Sequence, residues 1–259
     1  MIDLKKMSIQ AIRSQLDQDP PSDEMIRLML QDARSGVRKL AETLLRKREK
    51  EYTLQQRLES MRMYEREAYA RGYRLVAGID EAGRGPLAGP VVAAAVILPE
   101  DAYIRGINDS KKLRPQERES LYSTICETAV SYGIGIVDAS YIDTYNILQA
   151  TYEAMRLAVE NLSVKPDLLL NDAVTIPSVS MEQIAIIKGD ACSQSIAAAS
   201  ILAKVTRDRL MIEYAKQYPE YGFDHHMGYG TAEHLEALQK YGPTPLHRRS
   251  FAPVKSILG

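Results

Sequence analysis

The sequence predicts an α/β protein: a five-stranded mixed β-sheet flanked by helices, with a C-terminal helical region and a small all-α segment in front. Three observations predict it. Residues 1–72 carry apolar side chains at helical spacing and no strand-like run. From Leu75 onward short apolar runs begin, and Val91 to Leu98 is apolar throughout, as burial on both faces requires. After Gly133 such runs alternate with helical stretches, the pattern of a sheet covered by helices. At 259 residues the chain can hold one good core and a small second module. The expected division is 1–72 for a basic helical extension and 73–259 for the α/β domain.

Ser8 can cap a first short helix carrying Ile9, Ile12 and Leu16, which Pro20-Pro21 ends. Ser22, followed by Asp23 and Glu24, starts a second. A third, long helix is expected from Ser35, with Val37, Leu40, Ala41, Leu44, Leu58, Met61 and Ala68 on one stripe and Gly72 as its stop. Its middle, Arg46-Lys47-Arg48-Glu49-Lys50-Glu51, is all charge, so it is solvated or touches a partner. Strands are then expected at Leu75–Ile79, Val91–Leu98, Gly133–Val137, Leu168–Leu170 and Ile184–Ile187. Pro115 suits a first helical position. Ser140-x-x-Asp143 resembles a capping box for a helix running to about Leu162. Helices are also expected from Ser195 to about Tyr218 and from Thr231 to Lys240.

Composition narrows the class. Apolar residues make up 45% and charged residues 26%, ordinary values for a soluble globular protein. No apolar run reaches the ~20 residues of a membrane helix. The start, Met1 to Lys6, does not read as a secretory signal. Two distant cysteines, Cys126 and Cys192, suit a reducing compartment, so a cytoplasmic location is expected. Neither Cys-x-x-Cys nor a paired-histidine zinc spacing occurs. Residues 1–74 hold 16 Lys and Arg against 12 Asp and Glu, whereas the rest of the chain holds 17 against 22. A basic front could attract a polyanion and an acidic remainder could hold divalent cations, though a solvated imbalance explains the same counts.

The acids fall in a pattern. Asp80 and Glu81 follow the first strand, Asp172 follows the fourth, and Asp190 comes just after the fifth, behind Lys188-Gly189. If those strands are neighbours in one direction, their ends lie roughly 5–10 Å apart. Such carboxylates repel one another unless cations neutralise them. Hard cations with oxygen ligands, Mg²⁺ and then Mn²⁺, are the natural choice, and two of them suit in-line displacement at a phosphodiester. Any one strand-end Asp is equally a turn former or helix cap. Gly83-Arg84-Gly85 is neither a dinucleotide fingerprint nor a P-loop. It is a tight loop that could contact a sugar hydroxyl and a phosphate, or simply turn the chain. Lys111 and Lys112 suit phosphate contacts or a solvated surface. Tyr229, held between glycines, could stack on a base or sugar, or fill a core. A histidine metal site built from His225, His226, His234 and His247 is disfavoured. The stretch His247 to Phe251 could lie near nucleic acid or cap the fold.

Taken together these runs resemble bacterial ribonuclease HII. The resemblance rests on Gly78-Ile79-Asp80-Glu81-Ala82-Gly83-Arg84-Gly85-Pro86 and its continuation to Val96, and on Asp109-Ser110-Lys111-Lys112-Leu113. It rests also on Lys188-Gly189-Asp190 followed by Ser195 to Val205, on Gly228-Tyr229-Gly230-Thr231, and on His247-Arg248-x-Ser250-Phe251. It spans residues 75–259 in order; the basic helical front is similar to the extension of Bacillus-like homologues. The resemblance implies a ribonuclease H-like fold. It implies hydrolysis of RNA in RNA/DNA hybrids and cleavage 5′ to a single ribonucleotide in duplex DNA, leaving 3′-hydroxyl and 5′-phosphate. Asp80, Glu81, Asp172 and Asp190 map onto the family's catalytic, metal-holding acids. Gly83, Arg84 and Gly85 map onto its 2′-hydroxyl reader, and Tyr229 onto its junction-sensing tyrosine. The sister ribonuclease HIII family has Glu at the last acid, so Asp190 favours HII. Met227 and Asn171 depart from the family pattern. Met227 removes a basic contact, and Asn171 places a polar group near the ligands. A monomer acting on hybrid or ribonucleotide-containing duplex, away from membranes, is expected. The rival readings are a non-catalytic nucleic-acid-binding protein and a different nuclease on the same fold.

Overall fold

A computed structural model of the chain describes residues 7–258. The chain forms two compact units, the first ending at Arg57 and the second beginning at Leu58. The first holds α1 (Ile9–Gln18), α2 (Asp23–Leu30) and most of α3 (Ser35–Ser60). Ser8 caps α1 by accepting the Ala11 amide at 3.1 Å, and Ser22 caps α2 through the Met25 amide at 3.2 Å. Ile12, Ile26, Met29, Val37 and Ala41 close its small core. Arg46, Lys47 and Lys50 are exposed on α3, while Arg48 pairs with Asp23 at 2.6 Å.

The stripe from Val37 to Ala68 reads as one helix, but the structure breaks it and starts α4 (Met63–Ala70) after a short turn. Neither Pro nor Gly marks the break. A tertiary bond makes it: the Met61 carbonyl accepts the Gln194 amide at 2.8 Å in place of a helical partner. Leu58, Met61 and Ala68, buried in the second unit, explain why the division falls at residue 57 and not at 72.

The rest of the second unit runs β1 (Val76–Ala82), β2 (Val91–Ile97), α5 (Pro115–Thr128), β3 (Ser131–Val137) and α6 (Ala139–Glu160). Next come β4 (Leu168–Asp172), β5 (Glu182–Ile186), α7 (Gly189–Cys192), α8 (Gln194–Gln217), α9 (Phe223–His226), α10 (Ala232–Tyr241) and α11 (Ala252–Leu258). The strands form one mixed sheet in the order β3-β2-β1-β4-β5. β2 is antiparallel to both neighbours; β1, β4 and β5 are mutually parallel. The carboxyl ends of those three strands therefore share one edge. That edge is where the sequence puts its acids.

β2 is buried along its whole length, which its run of Val and Ala allows. Ala150, Ala154 and Ala158 of α6 pack with Ala77, Ile79, Ala93 and Ala95 on one face. Ile196 of α8 packs with Val76, Leu168 and Leu170 on the other. The α8 backbone presses so closely on β1 that a Cβ at Gly78 would overlap Ser195 and Ile196. This contact sets α8 directly beneath Asp80, two residues on.

The α6 cap differs from the capping box expected at Ser140. Asp138 caps the helix, accepting the Tyr141 amide at 2.9 Å and the Ser140 hydroxyl at 2.8 Å. Asp143 instead accepts the Arg249 and Ser250 amides at 2.9 and 2.8 Å, tying down the C-terminal segment. Among the described residues no helix is long and apolar enough to cross a membrane.

Candidate active site

The parallel register places Ile79 beside Asn171 and Asp172 beside Ile186, so Asp80 and Asp172 follow one another's strands at the same edge. Alternation turns Asp80 inward under α8, where it is 5% exposed. Its Oδ1 accepts the Glu81 amide at 2.7 Å, and the Ser200 hydroxyl of α8 also donates to it. Ser200 in turn lies 3.0 Å from the Ser110 hydroxyl. With its own proton committed to Asp80, Ser200 accepts from Ser110. Thus one α8 hydroxyl links β1 to the Asp109–Leu113 loop.

Asp172 accepts the Gly189 amide at 2.7 Å, which fixes the start of α7 and hence Asp190. Glu81 pairs with Arg84 at 3.1 Å. The Asp109 carboxyl comes within hydrogen-bond reach of Asp190, a contact that needs a shared proton. Lys111 lies close enough for its charge to act on both Glu81 and Asp190. Lys112 is exposed and pairs with Asp109 at 3.6 Å.

Burial is the first cause that lifts the Asp80 carboxyl well above the usual range; the charges of Glu81 and Asp172 add to it. Burial also raises Glu81, against the pull of Arg84, and raises Asp190, helped by Asp109 and Asp172. Among the described residues no three carboxylates, histidines or cysteines stand in ready ligand geometry. Each carboxylate is instead turned to a protein partner: Ser200, Arg84, Gly189 or Asp109. The donor chemistry nevertheless fits hard divalent cations, because it is all oxygen, buried and mutually repelling.

Beside the acids, two fully buried arginines hold the Gly83–Pro90 loop. Arg248 donates to the Arg84 carbonyl at 2.8 Å, to the Gly89 carbonyl at 2.8 and 3.1 Å, and to the Gly83 carbonyl. Arg207 of α8 donates to Pro90, Met227 and Ala88 carbonyls at 3.0, 2.9 and 3.1 Å. Burial pushes Arg248 down to about 9, with the Arg207 charge as second cause. Gly83 has a φ of +93°, and a Cβ there would strike the Arg207 side chain. No peptide bond in the described chain is cis. In a trans peptide the N–H points opposite the carbonyl. With the Gly83 and Arg84 carbonyls turned in toward Arg248, the amides of Arg84 and Gly85 face outward.

Tyr229 is 47% exposed, and a Cβ on Gly85 would meet its ring at 3.7 Å. The two Gly-flanked loops are therefore adjacent. Met227 does not stand in for a basic contact: it packs among Met211, Tyr221 and Phe223, and its carbonyl serves Arg207. Asn171 points to the sheet face opposite Asp172 and donates to Gln183 at 2.8 Å, away from the acids. Sequence reasoning missed Asp109, Ser200 and Arg207. A signal for the last two exists: Ser200, Arg207 and Met211 recur at helical spacing on one face of α8.

Known proteins resemble this chain in sequence and fold. The family model described as Ribonuclease HII matches residues 77–254, and that of the Ribonuclease HII N-terminal domain matches residues 8–69. A curated Ribonuclease HII of Geobacillus kaustophilus is 55% identical over 250 residues, covering 96% of this chain and 95% of its own. The crystal structure of ribonuclease H2 from Pyrococcus horikoshii OT3 superposes with a TM-score of 0.60 at 32% identity, covering 70% of this chain and 96% of that one. Bst-RNase HIII in complex with Mn²⁺ shares the fold at 19% identity and a TM-score of 0.58, over 74% of this chain and 71% of its own. The expected ribonuclease H-like fold is the one observed. The strand-end acids, the glycine loop and the helical front all lie within the matched spans, and the chain belongs to the ribonuclease HII family of metal-dependent nucleases.

Proposed function

We propose that the enzyme hydrolyses the RNA strand of RNA/DNA hybrids and cuts 5′ to single ribonucleotides embedded in duplex DNA, leaving 3′-hydroxyl and 5′-phosphate. The observation that carries this reading is the pair of outward amides at Arg84 and Gly85, set between the carboxylates and the Tyr229 ring. A 2′-hydroxyl can satisfy such donors, and deoxyribose cannot. Unpaired polar groups then penalise DNA strongly. Asp80, Glu81, Asp172 and Asp190 are the groups assigned to hold two divalent cations, Mg²⁺ or Mn²⁺. Held by these four carboxylates, such cations would supply activation of a water and stabilisation of the leaving 3′-oxygen. Arg84, which is 45% exposed, together with Lys111 and Lys112, is assigned to the flanking phosphates. Tyr229 is assigned to stack on the sugar beside the ribonucleotide. A duplex with one ribonucleotide, compared with an all-DNA duplex with and without Mg²⁺, tests the reading. Cleavage is expected only at the ribonucleotide and only with metal. Comparable cutting of all-DNA duplex, or cutting in chelator, overturns it.

The basic helical front is assigned to gripping the duplex backbone. Residues 34–74 carry 12 Lys and Arg against 6 Asp and Glu. Removing residues 1–57 leaves in place Glu65, which accepts from Ser193 and Ser195 at the start of α8. This truncation is expected to raise KM and flatten the salt dependence of cleavage, as fewer counterions are released. An unchanged KM at physiological salt rejects the assignment.

A further inference from the structure

His226, His234 and His247 are buried behind the Tyr229 loop, and the proposed reaction uses none of them. Unambiguous backbone partners fix where their protons sit. The Thr244 amide donates to His247 Nδ1 at 3.0 Å, and the Thr244 hydroxyl, 2.9 Å from the same nitrogen, can donate to it as well, which places the His247 proton on Nε2. His234 Nδ1 lies 2.9 Å from the Tyr229 carbonyl. A carbonyl only accepts, so His234 carries its proton on Nδ1 and has a lone pair on Nε2. The two Nε2 atoms are 3.0 Å apart. Assigned from opposite ends, the rings meet as one donor and one acceptor. A further proton on either ring breaks the series, at the ring–ring contact or at the Thr244 amide. Burial keeps both uncharged: it lowers His234, and with the His234 charge as second cause it lowers His247 to about 4.

The same residues sit on the backbone of both Gly-flanked loops. His247 bridges to Ala88, the Gly89 amide donates to Leu246 at 2.9 Å, and the Arg248 amide donates to Leu87 at 2.8 Å. The Leu87 amide donates to Gly228 at 2.8 Å. The Tyr229 carbonyl takes the Thr231 amide at 2.8 Å as well as His234. His226 stacks on His234 with ring centroids 4.6 Å apart. It accepts the Gly228 amide on Nδ1 at 3.2 Å and donates from Nε2 to the Tyr221 carbonyl at 2.8 Å.

We propose that His234 and His247 are positioning residues. They form an uncharged relay from the Thr244 amide through His247 and His234 to the Tyr229 carbonyl, which locks the tyrosine loop to the glycine loop and holds the Tyr229 ring against Gly85. The relay rests on the reading that these loops grip the ribonucleotide. It gives buried polar side chains with no place in the chemistry a defined task. A relay of neutral rings adds no positive charge beside Arg248, which is already a buried cation.

Nitrogen NMR of the full-length protein labelled at histidine tests the relay directly. At pH 7 the expected pattern is a proton on Nε2 of His247 and His226 and on Nδ1 of His234, with the His234 and His247 rings uncharged. The opposite tautomer or a charge at His234 or His247 overturns the proposal. Activity gives a second reading. His234→Asn keeps a side-chain N–H at the position of Nδ1 but leaves the His247 Nε2–H without its acceptor, so on the single-ribonucleotide duplex it is expected to keep more kcat/KM than His234→Ala, which loses about 10- to 100-fold, the scale of a misplaced contact. Equal losses in two variants of equal Tm overturn the relay. Tyr229→Ala is the control: undiminished cleavage there overturns the substrate role of Tyr229, a failure distinct from the NMR result.

Discussion

Asp80→Asn is expected to lower kcat/KM by at least about 10³-fold, the scale on which preorganised charge contacts act in active sites, while making the metal-free protein more stable. The two effects have one cause. Asp80 is buried, and its carboxyl is raised by that burial and then by the charges of Glu81 and Asp172. For an acid whose folded value lies above its unfolded one, the stabilising contribution is complete below the unfolded value and is lost as pH rises through the folded one. The metal-free enzyme is therefore strained at neutral pH. Asn removes the charge but keeps an oxygen for the Glu81 amide. A gain of about 1–2 kcal/mol at pH 7, vanishing near pH 4, fits the usual size of such trade-offs. Thermal melts in chelator at the two pH values, beside turnover on a hybrid, check it. Near-normal turnover, or a loss of stability at pH 7, defeats the assignment of Asp80 as a cation-holding acid. In the unsubstituted enzyme protons compete with the cations, so activity is expected to fall below about pH 5–6.

How much of this was legible in the sequence depends on the range of the interaction. The strands at Val76, Val91 and Leu168 announced themselves as apolar runs, and the caps at Ser8, Ser22 and Thr231 by residue type. Asp80, Asp172 and Asp190 were visible as strand-end acids because chain direction and strand boundaries are local properties. The break after Ser60 was not, since it depends on a bond from Met61 to Gln194, more than a hundred residues away. The α6 cap was misplaced by two residues because Asp138 and Ser140 are both good cap formers. The competing acid, Asp143, serves a segment at Arg249 and Ser250 that no local pattern reveals. The glycine loop was legible as a loop, yet the direction of its amides was not. That direction follows from which carbonyls two distant arginines take.

Those arginines carry the second large effect. Arg248→Met is expected to destabilise the protein by about 3–5 kcal/mol, because each buried carbonyl left unpartnered costs roughly 1–3 kcal/mol and Arg248 serves Gly83, Arg84 and Gly89. For a chain of this size that is a fall of roughly 6–20 °C in Tm. Arg248→Lys is not expected to rescue it. A guanidinium fork reaches three carbonyls at fixed angles, and one ammonium on a flexible stem does not. Loss of the fork frees the Gly83 and Arg84 peptides to turn, so the outward amides lose their aim. The discriminating consequence is chemical rather than thermal. At a temperature where both proteins are folded, the variant should lose more kcat/KM on a single embedded ribonucleotide than it loses metal affinity, because Asp80 and Asp172 are held by Ser200, Gly189 and the sheet and not by Arg248. Calorimetric titration with Mn²⁺ beside cleavage kinetics separates the two. A variant that loses both in step shows that the loop and the acid cluster are one mechanical unit. A variant that keeps its ribonucleotide preference shows that the 2′-hydroxyl is read elsewhere.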